Sequence, residues 1–144
     1  FTKQVSFLNV LMMLRTLQMG KKPEFLADML IDGGLISKQA MLKAFTNPTK
    51  LIPKLSLIDK TFANMYDKFL AGQSSLSALE KTSDDVLLSV FKPFYYKPVN
   101  IENLAAYILT TQRQGAAIRL VMAAKASGAS QDDINERMRA ISVK

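Results

Sequence analysis

A chain of 144 residues has the usual size of one domain and is long enough to bury a core that needs no metal ion or disulfide. It contains neither cysteine nor histidine, which excludes a disulfide framework, thiolate metal sites and the most common general base at neutral pH. The net charge of +7 favours an acidic partner, but the 19 basic residues are scattered, so a solvated basic surface is the simpler interpretation.

The chain offers no segment suited to crossing a membrane. Its longest uncharged stretches, such as residues 4–14 and 103–112, are much shorter than the roughly 20 apolar residues that a bilayer requires. The first residues have neither a basic leader nor a small-residue cleavage site, so we expect Phe1 to be an internal start. The absence of cysteine fits a cytosolic setting.

The first predicted elements are a short pair of helices. Apolar residues over positions 5–17 recur at three- and four-residue spacing, which predicts a helix that Gly20 ends. Pro23 and Glu24 suit the first turn of a second helix, and residues 32–34 (Asp-Gly-Gly) predict the turn that closes it.

The middle of the chain predicts three further helices and one connector. Ser37 can cap a helix through residue 45, whereas residues 47–54, which contain two prolines, predict an irregular connector. Ser56 predicts the cap of a helix through residue 70, and another helix is expected over residues 75–91.

Asn100 precedes the longest periodic stretch, which we interpret as the central helix, and Gly128 ends it. Its apolar face carries Ile101, Leu104, Ala105, Ile108, Ile118, Val121 and Met122. Residues 130–133 resemble a capping box with aspartate in place of glutamate, and they begin a final amphipathic helix that holds Ile134, Met138 and Ile141. No segment alternates with a period of two, so the predicted fold class is all-α.

The end of the chain repeats its beginning. When Gly20 is aligned with Gly128, 108 residues later, Val10 falls on Ile118 and Leu14 falls on Met122. Both segments read as an apolar helix, a glycine stop, an acidic first turn and a short amphipathic helix. We therefore predict that residues 1–34 end one helical repeat and that residues 35–144 form a complete second one.

No residue pattern predicts catalysis, metal binding or a cofactor. The pairs Asp84-Asp85 and Asp132-Asp133 are best explained by favourable charge near helix starts, and Gly33-Gly34 lacks the surroundings of a phosphate-binding loop. The eight methionines suit either core filling or an adaptable protein-binding groove, and core filling is the simpler of the two.

Residues 106–139 resemble the C-terminal signature of the C subunit of V-type (A-type) ATPases, a family to which the eukaryotic d subunit also belongs. The elements that carry the resemblance are Ala106-Tyr107, Ile118-Arg119-Leu120, Lys125 with Gly128, and Glu136, Arg137 and Arg139. Residues 9–34, an Asn-led helix with a glycine stop and a Gly-Gly turn, are similar to the other hallmark of the family. The chain departs from the family pattern at Gln112, Gln114 and Gly115.

The resemblance implies a non-catalytic, pseudo-threefold helical adaptor that links the central rotor shaft to the membrane rotor ring. Such an adaptor lies at the cytoplasmic face of the membrane and couples ATP hydrolysis elsewhere to proton or sodium transport. It binds no nucleotide, cofactor or small-molecule substrate. Within it, we expect the basic residues near the two glycine stops to face partners: Arg15, Lys21, Lys22, Arg119 and Lys125.

A basic helical nucleic-acid-binding module is the alternative function. It rests on the net charge and on Tyr95-Tyr96, which Lys92 and Lys97 flank. The neighbouring prolines favour a packed turn there instead.

Overall fold

The computed structural model describes residues 1–94 and 100–138, except the side chain of Glu136. The described residues are 79% helical and contain no strand, which confirms the all-α prediction. The described α-helices are α1 (Thr2–Gln18), α2 (Pro23–Met29), α3 (Lys38–Thr46), α4 (Ile52–Ile58), α5 (Lys60–Leu70), α6 (Leu76–Ser89), α7 (Ile101–Ala126) and α8 (Gln131–Arg137). Two 3₁₀ segments, Pro48–Leu51 and Lys92–Phe94, lie between them.

The chain folds as two compact units, Phe1–Ser83 and Asp84–Lys144. The boundary between them falls within α6, whereas the division predicted from the repeat falls after Gly34. The division by repeats therefore stays a prediction. The Tyr95-Tyr96 turn, Arg139 and Ile141 lie outside the described residues.

In the first unit, α1 supplies the centre of the core. Phe7, Val10, Met13 and Leu14 are all buried, because the apolar positions of α1 recur on one broad face. The Phe7 ring stacks on the ring of Phe62 in α5, with 4.0 Å between the centroids. The helices that follow α1 in the chain therefore cover its apolar face.

Two buried polar side chains of α1 hold the turn between α2 and α3. The side-chain amide of Asn9 donates to the carbonyl of Ile31 at 2.8 Å and accepts from the Ile31 N–H at 2.9 Å. The Ser6 hydroxyl accepts from the Leu35 N–H at 2.7 Å. These bonds satisfy polar groups that would otherwise be left unpaired in the core.

The irregular connector predicted over residues 47–54 is wrong. A 3₁₀ turn begins at Pro48 and α4 follows it, with Pro53 in the first turn of α4. Proline is compatible with a first turn because the N–H that it lacks has no helical partner there. Leu51 and Leu55 of this segment are buried, and their burial stabilises its helical form.

The predicted continuous helix from Ser56 to residue 70 is also wrong, because the helix is interrupted at Asp59. Asp59 has an extended backbone, and its carboxylate accepts from the N–H groups of Thr61 at 2.9 Å and Phe62 at 3.0 Å. Aspartate is among the strongest N-capping residues. Asp59 therefore starts α5 as a separate helix.

The two glycine stops have the same local geometry. Gly20 and Gly128 have φ angles of 62° and 72°, in the left-handed region that favours glycine. At both sites the next residue donates its N–H to a carbonyl five residues back, at 3.1 Å for Lys21 and 2.9 Å for Ala129. A seven-residue helix, α2 or α8, begins three residues after each glycine.

Among the described residues of the second unit, the packing contacts of α7 lie on one face. Ala106 lies in a small cluster with Leu88 of α6 and with Phe91. Arg113 of α7 donates to the carbonyl of Asp84 and lies 3.8 Å and 3.9 Å from the carboxylates of Asp84 and Asp85. The expectation that this aspartate pair stands near a helix start is therefore wrong, because both residues lie in the second half of α6 and contact Arg113.

Candidate partner-binding surface

The second unit leaves an apolar face of α7 uncovered. Five of its residues are between 46% and 78% exposed, and we call them the α7 stripe: Ile101, Leu104, Ile108, Ile118 and Met122. The stripe lies on the side of α7 that is opposite to Ala106 and Arg113. The sequence correctly placed these apolar residues on one face of a long helix, and the structure leaves this face exposed.

The spacing of the α7 stripe is that of a helix-binding surface. Together with Thr111 and Gly115, its residues alternate steps of three and four, which repeats every seven residues. The stripe runs for about 30 Å along the helix, since each residue advances the helix by about 1.5 Å. Exposed apolar surfaces of this kind mark binding sites for proteins or ligands.

Gly115 opens a groove in the middle of the stripe. The groove encloses about 250 Å³ and is lined by Tyr107, Ile108, Thr111, Gln112, Gly115 and Arg119. Gly115 has no side chain to fill this space. Apart from the backbone of α7, a Cβ atom at this position would meet only the Arg119 guanidinium within 4 Å, at 3.7 Å. The Arg119 Nε in turn donates to the Gly115 carbonyl at 3.2 Å, so this arginine forms one wall of the groove. The groove can accept a side chain from a partner helix.

The five basic residues predicted to face partners divide between the two units. In the second unit, Arg119 borders the groove and the exposed Lys125 continues the line of the α7 stripe in the last turn. In the first unit, Lys21 and Lys22 are exposed between α1 and α2. Arg15 is half-exposed and pairs with Glu80 at 2.5 Å. Their role in partner binding stays a prediction.

Three side chains with shifted pKa values, Asp59, Tyr66 and Asp133, make hydrogen bonds that hold the local fold. Burial opposes ionisation of Asp59, but hydrogen bonds from Lys3 and from two backbone N–H groups outweigh it and lower the pKa of this carboxyl. Hydrogen bonds from Ser130 lower the pKa of Asp133, its partner in the capping box of α8. Burial raises the pKa of Tyr66, whose hydroxyl donates to the Pro48 carbonyl at 3.0 Å.

Two other features bear on function. Across residues 1–94 and 100–138, no group of three or more acidic side chains is arranged to hold a metal ion. In the same part of the chain, no helix is both long and apolar enough to cross a membrane.

The comparisons with known proteins agree with the resemblance noted in the sequence. A family model described as "ATP synthase (C/AC39) subunit" matches residues 1–137. No curated protein and no solved structure gives a significant match. Membership of this family implies a place in an ATPase complex. The chain belongs to the ATP synthase (C/AC39) subunit family.

Proposed function

We propose that this protein is a non-catalytic connector of a rotary V-type ATPase. It links the central rotor shaft to the membrane rotor ring at the cytoplasmic face of the membrane. In this role it couples ATP hydrolysis elsewhere in the complex to proton or sodium transport. The observation that carries the proposal is the exposed α7 stripe on a chain of the ATP synthase (C/AC39) subunit family.

A connector must hold a partner firmly enough to transmit torque. The α7 stripe supports this role because apolar side chains spaced by three and four residues pack into the surface of a second helix. The groove at Gly115 adds a place where one side chain of that helix can be enclosed. The stripe is therefore the surface that receives a helical segment of a partner protein in the complex.

The charge of the chain supports the same role. Arg119 and Lys125 flank the stripe, and no acidic side chain within 4.0 Å pairs with either among the described residues. Charges at the rim of an apolar interface steer a partner of opposite charge and select its orientation. We therefore expect the partner segment to carry acidic residues where it meets Arg119 and Lys125.

Two matched double variants of the chain test this proposal. Ile118→Asp with Met122→Asp places two charges on the stripe, whereas Ala116→Asp with Ala123→Asp adds the same charges at exposed positions of α7 outside it. The stripe variant should bind the shaft or ring proteins at least about tenfold more weakly, and the control should bind normally. Association is measured by co-purification and by titration of the purified partners.

Coupling provides the second readout. In the assembled complex, the stripe variant should lower ion pumping per ATP hydrolysed, whereas the control should not. Normal assembly and coupling with the stripe variant would remove the proposal.

Charge reversal at Lys21, Lys22, Arg119 and Lys125 should weaken assembly most at low salt, because exposed charges are screened as salt is raised.

A further inference from the structure

A second surface of the molecule, in the first unit, has a different chemistry from the α7 stripe. Residues 35–58 contain four lysines and no aspartate or glutamate. Lys38 pairs with Asp32 at 2.9 Å. Of the described carboxylates, none pairs within 4.0 Å with Lys43, Lys50 or Lys54. This segment therefore concentrates positive charge that the described acidic groups do not neutralise.

Lys43, Lys50 and Lys54 line one cleft. The cleft encloses about 440 Å³ and is bounded by α3, the 3₁₀ turn and α4, with the lining residues Ser37, Gln39, Ala40, Lys43, Ala44, Lys50, Leu51 and Lys54. Ala44 and Leu51 are buried, whereas all three lysines are exposed. The cleft thus combines an apolar floor with a cationic rim.

The local fold brings the positive charges together. The 3₁₀ turn runs directly into α4, so Lys50 and Lys54 lie four residues apart on nearly continuous helical backbone. Like charges at this spacing repel each other on a helix surface. Lys43 adds a third ammonium group from α3 to the same cleft. A bound anion would relieve this repulsion.

We propose that this cleft binds an organic anion that carries two or more phosphate groups. Lysine ammonium groups bind phosphate as point charges, and three of them complement a multiply charged ligand. The floor formed by Ala44 and Leu51 accommodates the carbon scaffold, and the volume lies in the range of small-molecule sites. The site lies outside the α7 stripe and does not depend on the connector function.

The test uses the purified chain with two soluble probes, inorganic pyrophosphate and inositol trisphosphate, in calorimetric titrations at low salt. Lys43→Gln/Lys50→Gln/Lys54→Gln removes the rim charges. Lys21→Gln/Lys22→Gln/Lys68→Gln removes the same number of charges from exposed positions of the same unit. The cleft variant should bind both probes at least about tenfold more weakly, and the control should lose less than about twofold.

A variant that keeps every charge tests the floor of the cleft. Ala40→Leu fills space between the lysines, so it should weaken inositol trisphosphate binding severalfold and affect pyrophosphate binding less. Circular dichroism of each variant checks that the fold is retained. Absence of binding by the original chain, or an equal loss in the cleft and control triple variants, would overturn the proposal.

The same chemistry could come from a soluble molecule or from a lipid headgroup. Sedimentation with phosphatidylcholine vesicles, with and without phosphatidylinositol bisphosphate, distinguishes the two sources. If the original chain binds the charged vesicles and the cleft triple variant does not, the ligand is a lipid headgroup. Binding of soluble inositol trisphosphate without vesicle binding assigns a soluble ligand.

Discussion

Helices α1 and α7 end in the same way but differ in the burial of their apolar faces. Each is closed by a left-handed glycine with the same pattern of backbone hydrogen bonds. At equivalent positions, however, Val10 is 0% exposed and Ile118 is 61% exposed, and Leu14 is 2% exposed and Met122 is 67% exposed. Local sequence therefore determines how these helices end, whereas burial depends on which elements pack against them.

The residues at one equivalent position show how the difference arises. Position 7 holds a phenylalanine that stacks on Phe62 of α5, whereas position 115 holds a glycine that leaves a groove. Helices of its own unit cover the face of α1, whereas the described helices of the second unit leave the α7 stripe exposed. Two helices with the same ending thus differ in their surroundings, since one is a core element and the other carries a candidate binding surface.

The largest predicted effect is the difference in stability loss between Leu14→Ala and Met122→Ala. The first change removes a fully packed side chain and should lower the free energy of unfolding by about 2–5 kcal/mol. The second truncates an exposed side chain and should change it by less than about 0.5 kcal/mol. Urea denaturation followed by circular dichroism measures both. Equal losses would show that the contrast in burial is wrong.

The next effect concerns Asn9, a buried polar residue of α1. Asn9→Ala should lower the free energy of unfolding by about 1–3 kcal/mol, because it removes both hydrogen bonds to Ile31. The equivalent position in α7 is Ala117, which offers no such bonds. Gln18→Ala, at an exposed position of α1, is the control and should be close to neutral in the same denaturation experiment. A neutral Asn9→Ala would mean that these bonds do not hold the turn.

The shared glycine geometry predicts equal effects in the two units. Gly20→Ala and Gly128→Ala should each lower the free energy of unfolding by about 1–2 kcal/mol, because alanine is strained at a positive φ. A Cβ atom at either glycine would meet no other atom within 4 Å, so the backbone conformation alone sets the effect. Thermal and urea denaturation measure it. A large effect at one glycine and none at the other would break the equivalence of the two stops.

The smallest predicted effect depends on pH. Asp59 caps α5 and binds Lys3 of α1 at 2.9 Å, whereas Thr111, which is equivalent to Lys3, carries no charge. Asp59→Ala should lower the free energy of unfolding by about 0.5–2 kcal/mol at neutral pH. Because the folded state lowers the pKa of Asp59, its contribution is present above about pH 4 and is lost as the pH falls through the folded value.

Denaturation at a series of pH values checks this prediction. The difference between the original chain and Asp59→Ala should be constant near neutral pH and should shrink in acid. Asp59→Asn keeps a capping oxygen and should cost less than Asp59→Ala. A difference that grows as the pH falls would contradict the assigned pKa direction.

Several elements could be predicted from local sequence because their signals act within one turn. The caps predicted at Ser37 and Ser130 accept the backbone N–H bonds expected of them, and Asn100, which precedes α7, caps that helix in the same way. Pro48 and Pro53 misled the prediction, since proline breaks a helix interior but suits a first turn. Asp84 and Asp85 were misassigned because their partner, Arg113, is distant in the sequence.

The sequence by itself determined the all-α class, the glycine stops, the repeated helix ends and the family, because periodicity, capping and motifs are local properties. Only the tertiary structure decided that the apolar face of α1 is core and that of α7 is surface, and that three lysines line one cleft. The same three- and four-residue spacing occurs in both helices, so the pattern predicts that an apolar face exists but not what covers it. Burial is a relation between distant segments, and those relations are set when the chain packs.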